Sequence, residues 1–254
     1  MTLKKCSVLF VFFVMTFNAV MLQASETIKV AFGDALAPWV MPEMDEGIIV
    51  EIIEQAMEPL GYTIEKVYLP YARRIKSYEQ GLVDVSSDIN ANTMKERRLE
   101  GFLADTAYTY VNYAYSLKKR NYQFKRIQDL GDYRLLSWQG AIAHLGNEYA
   151  QMAINNPLYS EHHDQSIQVK MLFLERVDVI QMDEQIFNYF RAQVGSQQII
   201  DTSLQVDRFG FFGENPNSFI FRTEKLKNEF NQQLARLKST GRYAEILAKY
   251  SALH

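Results

Sequence analysis

Cysteine is all but missing from this chain of 254 residues. The single one, Cys6, comes before most of an apolar N-terminal run, the wrong side for a lipid-modified anchor residue. With no second cysteine the chain has no disulfide and is held by its core alone. Histidine is scarce as well, with four residues, His144, His162, His163 and His254. None forms a His-x-x-x-His pair and there is no cysteine cluster, so no metal site is expected. The adjacent His162 and His163, flanked by Glu161 and Asp164, read as a solvated loop; on a strand they would face opposite ways. A phosphate-cradling glycine loop and a Gly-x-Ser-x-Gly elbow are both absent, which leaves nucleotide cofactors and serine-hydrolase chemistry without support. Basic residues are not in excess: 27 Lys and Arg stand against 30 Asp and Glu, and nothing suggests a nucleic-acid surface. Proline and glycine number 6 and 12 and lie scattered, so no flexible linker divides the chain.

What is present begins with a leader. Lys4 and Lys5 precede the apolar stretch from Cys6 to Leu22, and the small residues Ala24 and Ser25 follow. This is the layout of a cleaved secretory signal peptide over residues 1–24. The stretch is short for a membrane span, and no later run is long enough to be one. Loss of the two lysines moves the formal charge from −3 to −5. An acidic exported chain without cysteine fits the bacterial periplasm better than a small disulfide-stapled secreted module.

The remainder alternates strand and helix patterns. Residues 27–33 read as a strand, and 47–61 as a helix with apolar residues at helical intervals, stopped by Gly61. Residues 62–69 alternate as a strand ended by Pro70, 71–81 form a helix and 83–89 another strand. Such a β-α-β-α-β opening builds a parallel sheet covered by helices, and ligands gather where its strands end. Asp34, Trp39, Tyr71, Arg73 and Asp88 all stand at or just after strand ends. Arg74, one step further along the helix, is expected to point to solvent. A second series follows: a strand at 133–140, helices at 141–154 and 167–176, a strand at 177–183 and a helix at 184–194. Two amphipathic helices, 226–241 and 242–250, close the chain. The aromatic-rich stretch 106–117 reads as one crossing strand between two lobes, with the return crossing near 205–212. Gln139 and Gly140 precede a helix whose free N–H groups suit an anion.

Four segments, "GLVDVSSDINANTMKERRLEGFLADTAY" (81–108), "LFLERVDVIQMDEQ" (172–185), "TGRYAEILAKY" (240–250) and "PYARR" (70–74), resemble the periplasmic solute-binding proteins of the type II, bilobal kind, in particular the family-3 group serving polar amino-acid importers. The resemblance implies an α/β fold of two lobes, each a mostly parallel sheet flanked by helices, with two crossover strands as hinge. The lobes are expected at 25–112 plus 209–254 and at 113–208. It also implies ligand contacts. Arg97 would clamp a carboxylate, Asp183 would hold an ammonium, and Trp39 would supply an aromatic platform. Departures from the family pattern are Met94 in the slot where a threonine is usual, Asp88, Asn90 and Asn92 in place of serines, and Ala141 at a helix start that usually offers a hydroxyl. They leave room for a cationic, sugar-like or peptide-like solute.

Each candidate has a plainer reading. Arg97 beside Arg98 suits a solvated helix face, Asp183 a helix cap, Trp39 a loop plug, Arg73 a capping or pairing role, and Asp88 a turn. The expected function is capture of a small polar, amino-acid-like solute by a monomer without cofactor, for an ABC-type permease. The ligand set is Trp39, Tyr71, Arg73, Asp88, Arg97, Gln139, Gly140 and Asp183, with no catalytic residue. The alternatives are a dehydratase-like enzyme on the same scaffold, with Asp88 or Asp183 as general acid, and a sensing module for a separate membrane receptor.

Overall fold

A computed structural model describes residues 26–34 and 36–251. The expected leader, residues 1–24, lies outside them. In chain order the strands and helices are β1 (Glu26–Phe32), α1 (Ile48–Met57), β2 (Tyr62–Tyr68), α2 (Tyr71–Glu79), β3 (Val85–Ile89), α3 (Ala91–Arg97), β4 (Phe102–Leu103), β5 (Tyr108–Leu117) and β6 (Leu135–Trp138). There follow α4 (Ala141–His144), α5 (Asn147–Asn155), β7 (Tyr159–His162), α6 (Gln165–Phe173), β8 (Val179–Asp183), α7 (Glu184–Ser196), β9 (Val206–Phe209), β10 (Glu214–Phe221), α8 (Glu224–Ser239) and α9 (Arg242–Ser251). The helix expected over 141–154 is broken in two. Gly146, at φ 87°, takes a left-handed backbone that ends the first turn before the second helix starts.

The strands run in the order β2-β1-β3-β10-β5-β8-β6-β7. β1, β2 and β3 are parallel, β10 is antiparallel to β3, and β6, β7 and β8 are again parallel. β5 belongs to both halves. Tyr108 to Val111 pair with β10, and from Asn112 onward the partner is β8, with β9 on the other side. The return connection is the short segment 210–213 between β9 and β10.

Apolar spacing sets the packing. Leu226, Phe230, Leu234 and Leu237 of α8 recur on one helical face and are all buried. The Phe230 ring lies 5.1 Å from that of Phe219 and 5.3 Å from that of Phe221 on β10. Burial of one such side chain stabilises by about 1.5–3 kcal/mol. α1 is buried along most of its length because it is packed by β2, α8 and α9. Its start depends on Gly47, at φ 144°, where a Cβ would sit 2.5 Å from the Trp39 carbonyl oxygen. That close approach lays the Trp39 loop on the helix. In the second half Tyr115 of β5 stacks on Phe187 of α7 with ring centroids 3.9 Å apart.

Candidate functional site

α2 is the first element that positions the site. Its inward face is fixed by the buried Ile75 and Tyr78, and Arg74 shares that face, at 3% exposure. Helical phase therefore turns Arg73 outward, where it is exposed. The expectation for Arg74 is corrected here: it points inward, not to solvent. Its guanidinium lies against Gly33 at the end of β1, where a Cβ would be 2.9 Å from Nη1. It also stands 5.3 Å from the Tyr71 ring centroid and forms an ion pair of 3.0 Å with Asp88. The Arg74 Nε is buried without a hydrogen-bond partner.

Asp88, one residue before the end of β3, takes a left-handed conformation, φ 57°. Its Oδ1 accepts hydrogen bonds from the hydroxyls of Tyr110 (2.6 Å) and Tyr108 (3.0 Å), and its Oδ2 accepts one from Ser87 (3.1 Å). Burial, reinforced by the Asp88 charge, raises both tyrosines well above the ordinary range, so they remain donors. Asn90 caps α3 through the Thr93 N–H. Arg97, the last residue of α3, is exposed, and its charge helps depress the pKa of His144 in the other half.

From the second half, β6 delivers Trp138. The His144 ring stacks on it at 5.7 Å and meets the Tyr71 ring edge-on, also at 5.7 Å. The pKa of His144 is lowered by burial first and by Arg97 second, against Glu161 and Glu96. Gln139 is exposed and its N–H donates to the His162 carbonyl. The anion expected at the Gly140 turn is already there: the Glu161 carboxylate accepts from the Gly140 N–H at 2.8 Å and the Ile142 N–H at 3.1 Å. His162 closes β7 and its ring stacks on His163 at 4.6 Å, so the two do not face opposite ways as a regular strand would have them.

Asp183 caps α7 and is 4% exposed. Its Oδ1 accepts from the Trp39 indole N–H (2.8 Å), the Gln185 N–H (3.0 Å) and the Ile186 N–H (3.2 Å), and its Oδ2 accepts from the Val111 N–H (2.9 Å). Burial nonetheless lifts its pKa to about 6, those bonds opposing the rise. Trp39 is buried as a plug, with Tyr110 edge-on at 4.9 Å and Tyr108 at 5.7 Å. A cavity of about 200 Å³ beside Asp183 is lined by Trp39, Thr109, Val111 and Tyr243 among others, and Arg97 is not part of its wall. The residues expected to grip opposite ends of one solute thus do not share this cavity. Asp183 joins three segments and offers no unoccupied oxygen.

A two-half sheet crossed by one shared strand, with charged and aromatic groups at the strand ends, agrees with the sequence matches. The family model for bacterial extracellular solute-binding proteins, family 3, matches residues 28–252. The chain belongs to this family. Its fold is the two-lobed type II periplasmic-binding-protein fold. Among solved structures it is similar to the GluR0 ligand-binding core in complex with L-glutamate, with TM-score 0.70 and 13% identity over 90% of this chain and 100% of that one. A histidine kinase sensor domain with similarity to periplasmic binding proteins superposes with TM-score 0.66, at 16% identity over 89% and 96%. An amino acid ABC transporter substrate-binding protein from Streptococcus pneumoniae, bound to L-arginine, does so with TM-score 0.64, at 16% identity over 90% and 95%. A search of curated protein sequences gives no match. As a family-3 member the chain is a solute-binding protein of the extracellular class.

Proposed function

We propose that the protein works in the periplasm, after loss of residues 1–24, and captures a small polar, amino-acid-like solute between its lobes for an ABC-type importer. One lobe comprises 25–112 and 209–254, the other 113–208. The observation that carries this reading is the meeting of Tyr71 and the Arg74–Asp88 pair, at strand ends of one lobe, with Trp138 and His144 at a strand end of the other. Arg97, the last residue of α3, and Gln139, just after β6, are exposed. Arg97 suits the solute's carboxylate, and the rings of Tyr71, Trp138 and His144 suit its ammonium and side chain, with the Arg74–Asp88 pair holding Tyr71 in place. Closure is a hinge motion about β5 and the segment 210–213, stabilised by contacts that a solute makes to both lobes at once. The donors already engaged by Asp88 and Asp183 favour binding over general-acid catalysis.

The test is a panel of amino acids, amines and short peptides in thermal-shift and calorimetric titrations. A true solute at 100 times its dissociation constant adds about 2.7 kcal/mol of stability. Asp88→Asn and Arg97→Ala are expected to weaken its binding. A solute bound equally well by both variants removes the site, and turnover of a cyclic carboxylic acid by the purified protein removes the binding-only reading.

A further inference from the structure

We propose that the hydrogen bond from the Trp39 indole to the Asp183 carboxylate is a clasp on the hinge, formed by the chain's own groups, that favours the closed arrangement of the lobes and breaks each time they open. The inference goes beyond solute binding and takes from that reading only the lobes and their hinge.

The clasp sits at the pivot. β5 pairs with β10 as far as Val111 and with β8 from Asn112, whose partner is Asp183. A rotation of one lobe on the other is absorbed where β5 changes partner, and the Asp183 carboxylate spans that point. Its Oδ2 accepts from the Val111 N–H, and its Oδ1 accepts from the Gln185 and Ile186 N–H groups at the start of α7. Those three bonds lie on the pivot or within the second lobe. The fourth, from the Trp39 indole at 2.8 Å, comes from the connection between β1 and α1 and ties the first lobe to the second directly.

Neither partner is free to follow a rotation. Asp183 is 4% exposed and fixed by its three backbone donors. Trp39 is 2% exposed, and its carbonyl accepts from the Ile49 N–H of α1 at 3.0 Å. Its ring is hemmed by Tyr108 and Tyr110, whose hydroxyls are held by Asp88. Held on both sides, the bond breaks rather than stretches. The cavity of about 200 Å³ beside it is walled by Trp39, Tyr243 and Leu247 from the first lobe and by Glu184 and Gln185 from the second. Water therefore has room to replace the indole N–H on Oδ1 as the lobes part. The contact of the Tyr71 and His144 rings at 5.7 Å joins the same two lobes, so it and the clasp belong to one closed arrangement. A clasp that raises the closed fraction raises the apparent affinity of any solute that needs the lobes closed.

The test uses the mature chain with no solute added. Cys6 is the sole cysteine and lies in the leader, so two spin labels can be placed cleanly through Asn92→Cys on α3 and Gln151→Cys on α5, both exposed and one in each lobe. Pulsed electron spin resonance then reads the distance between the lobes. Trp39→Phe keeps an aromatic ring and removes the N–H donor. Val30→Ala, a buried position on β1, controls for simple loss of packing. Loss of a hydrogen bond to a charged group shifts the ratio of short to long distances by about tenfold or more toward long in Trp39→Phe, whereas Val30→Ala keeps the wild-type distribution. Equal distributions in wild type and Trp39→Phe, or the same shift in Val30→Ala, overturn the proposal. Should Trp39→Phe not fold, hydrogen exchange of the wild-type Trp39 indole, assigned by comparison with Trp138→Phe, decides. The clasp requires an indole N–H that is protected yet exchanges faster than the β1 amides, through lobe opening rather than global unfolding. An unprotected indole, or one that exchanges only with the β1 amides, overturns the proposal. Failure of the solute panel leaves these outcomes unchanged, and loss of the clasp leaves solute binding to be judged by that panel.

Discussion

Neutralising Asp183 by Asp183→Asn isolates one electrostatic cost. The side chain is 4% exposed, and burial lifts its pKa from the ordinary 3.8 to about 6. Between those values the folded protein holds a proton that the unfolded chain has released. Stability from this group is thus complete below about pH 4 and is lost as pH rises through about 6. A rise of about two units corresponds to about 3 kcal/mol. Asparagine keeps an acceptor for Trp39 and the α7 amides but turns an NH2 toward the Val111 N–H, at a cost that does not vary with pH. The informative quantity is the difference in unfolding free energy, wild type minus variant, from urea titrations at several pH values. Other carboxylates cancel in that difference. It should fall by about 3 kcal/mol from pH 4 to pH 7. A flat difference, or one rising with pH, would show that the four N–H donors outweigh burial and refute the reasoning.

Further expectations concern the arginines, the glycine beside them and the second core. Arg74→Ala should cost about 3–5 kcal/mol, because it strands the Asp88 carboxylate at 11% side-chain exposure. Arg73→Ala should stay within about 0.5 kcal/mol, and equal effects in urea unfolding would reverse the helix phase argued above. Gly33→Ala places a methyl 2.9 Å from the Arg74 Nη1. It should destabilise by about 1–3 kcal/mol and be partly relieved in the double variant with Arg74→Ala, which calorimetry can check. Phe187→Ala removes the stack on Tyr115 and should cost about 3–5 kcal/mol, read as a lowered melting temperature.

The opening β1-α1-β2-α2-β3 unit was legible because each element carries its own period and each boundary its own breaker, Gly61 and Pro70 among them. β10 was not, since it begins Glu214, Asn215, Pro216, Asn217 and finds its partner β3 far earlier in the chain. No local pattern announces such a pairing. Two adjacent arginines defeated a reading by motif, although Ile75 and Tyr78 already state which of them faces in. Asp183 was placed correctly at a strand end, but its hydrogen bond from Trp39 is a long-range contact that spacing does not encode. Glu161 was read with its histidine neighbours as loop, and the signal that points elsewhere is its alternation with Tyr159 on a strand.

Placing β10 between β3 and β5 has a bearing on how the chain is made. Strands β5 to β9 are all synthesised before β10, so the lobe they form has its whole sheet while the other is still incomplete. The flank of β3 stays bare until the C-terminal portion emerges. An unpaired strand edge is where chains stick to one another, so a chain cut short before β10 should be prone to associate through that edge.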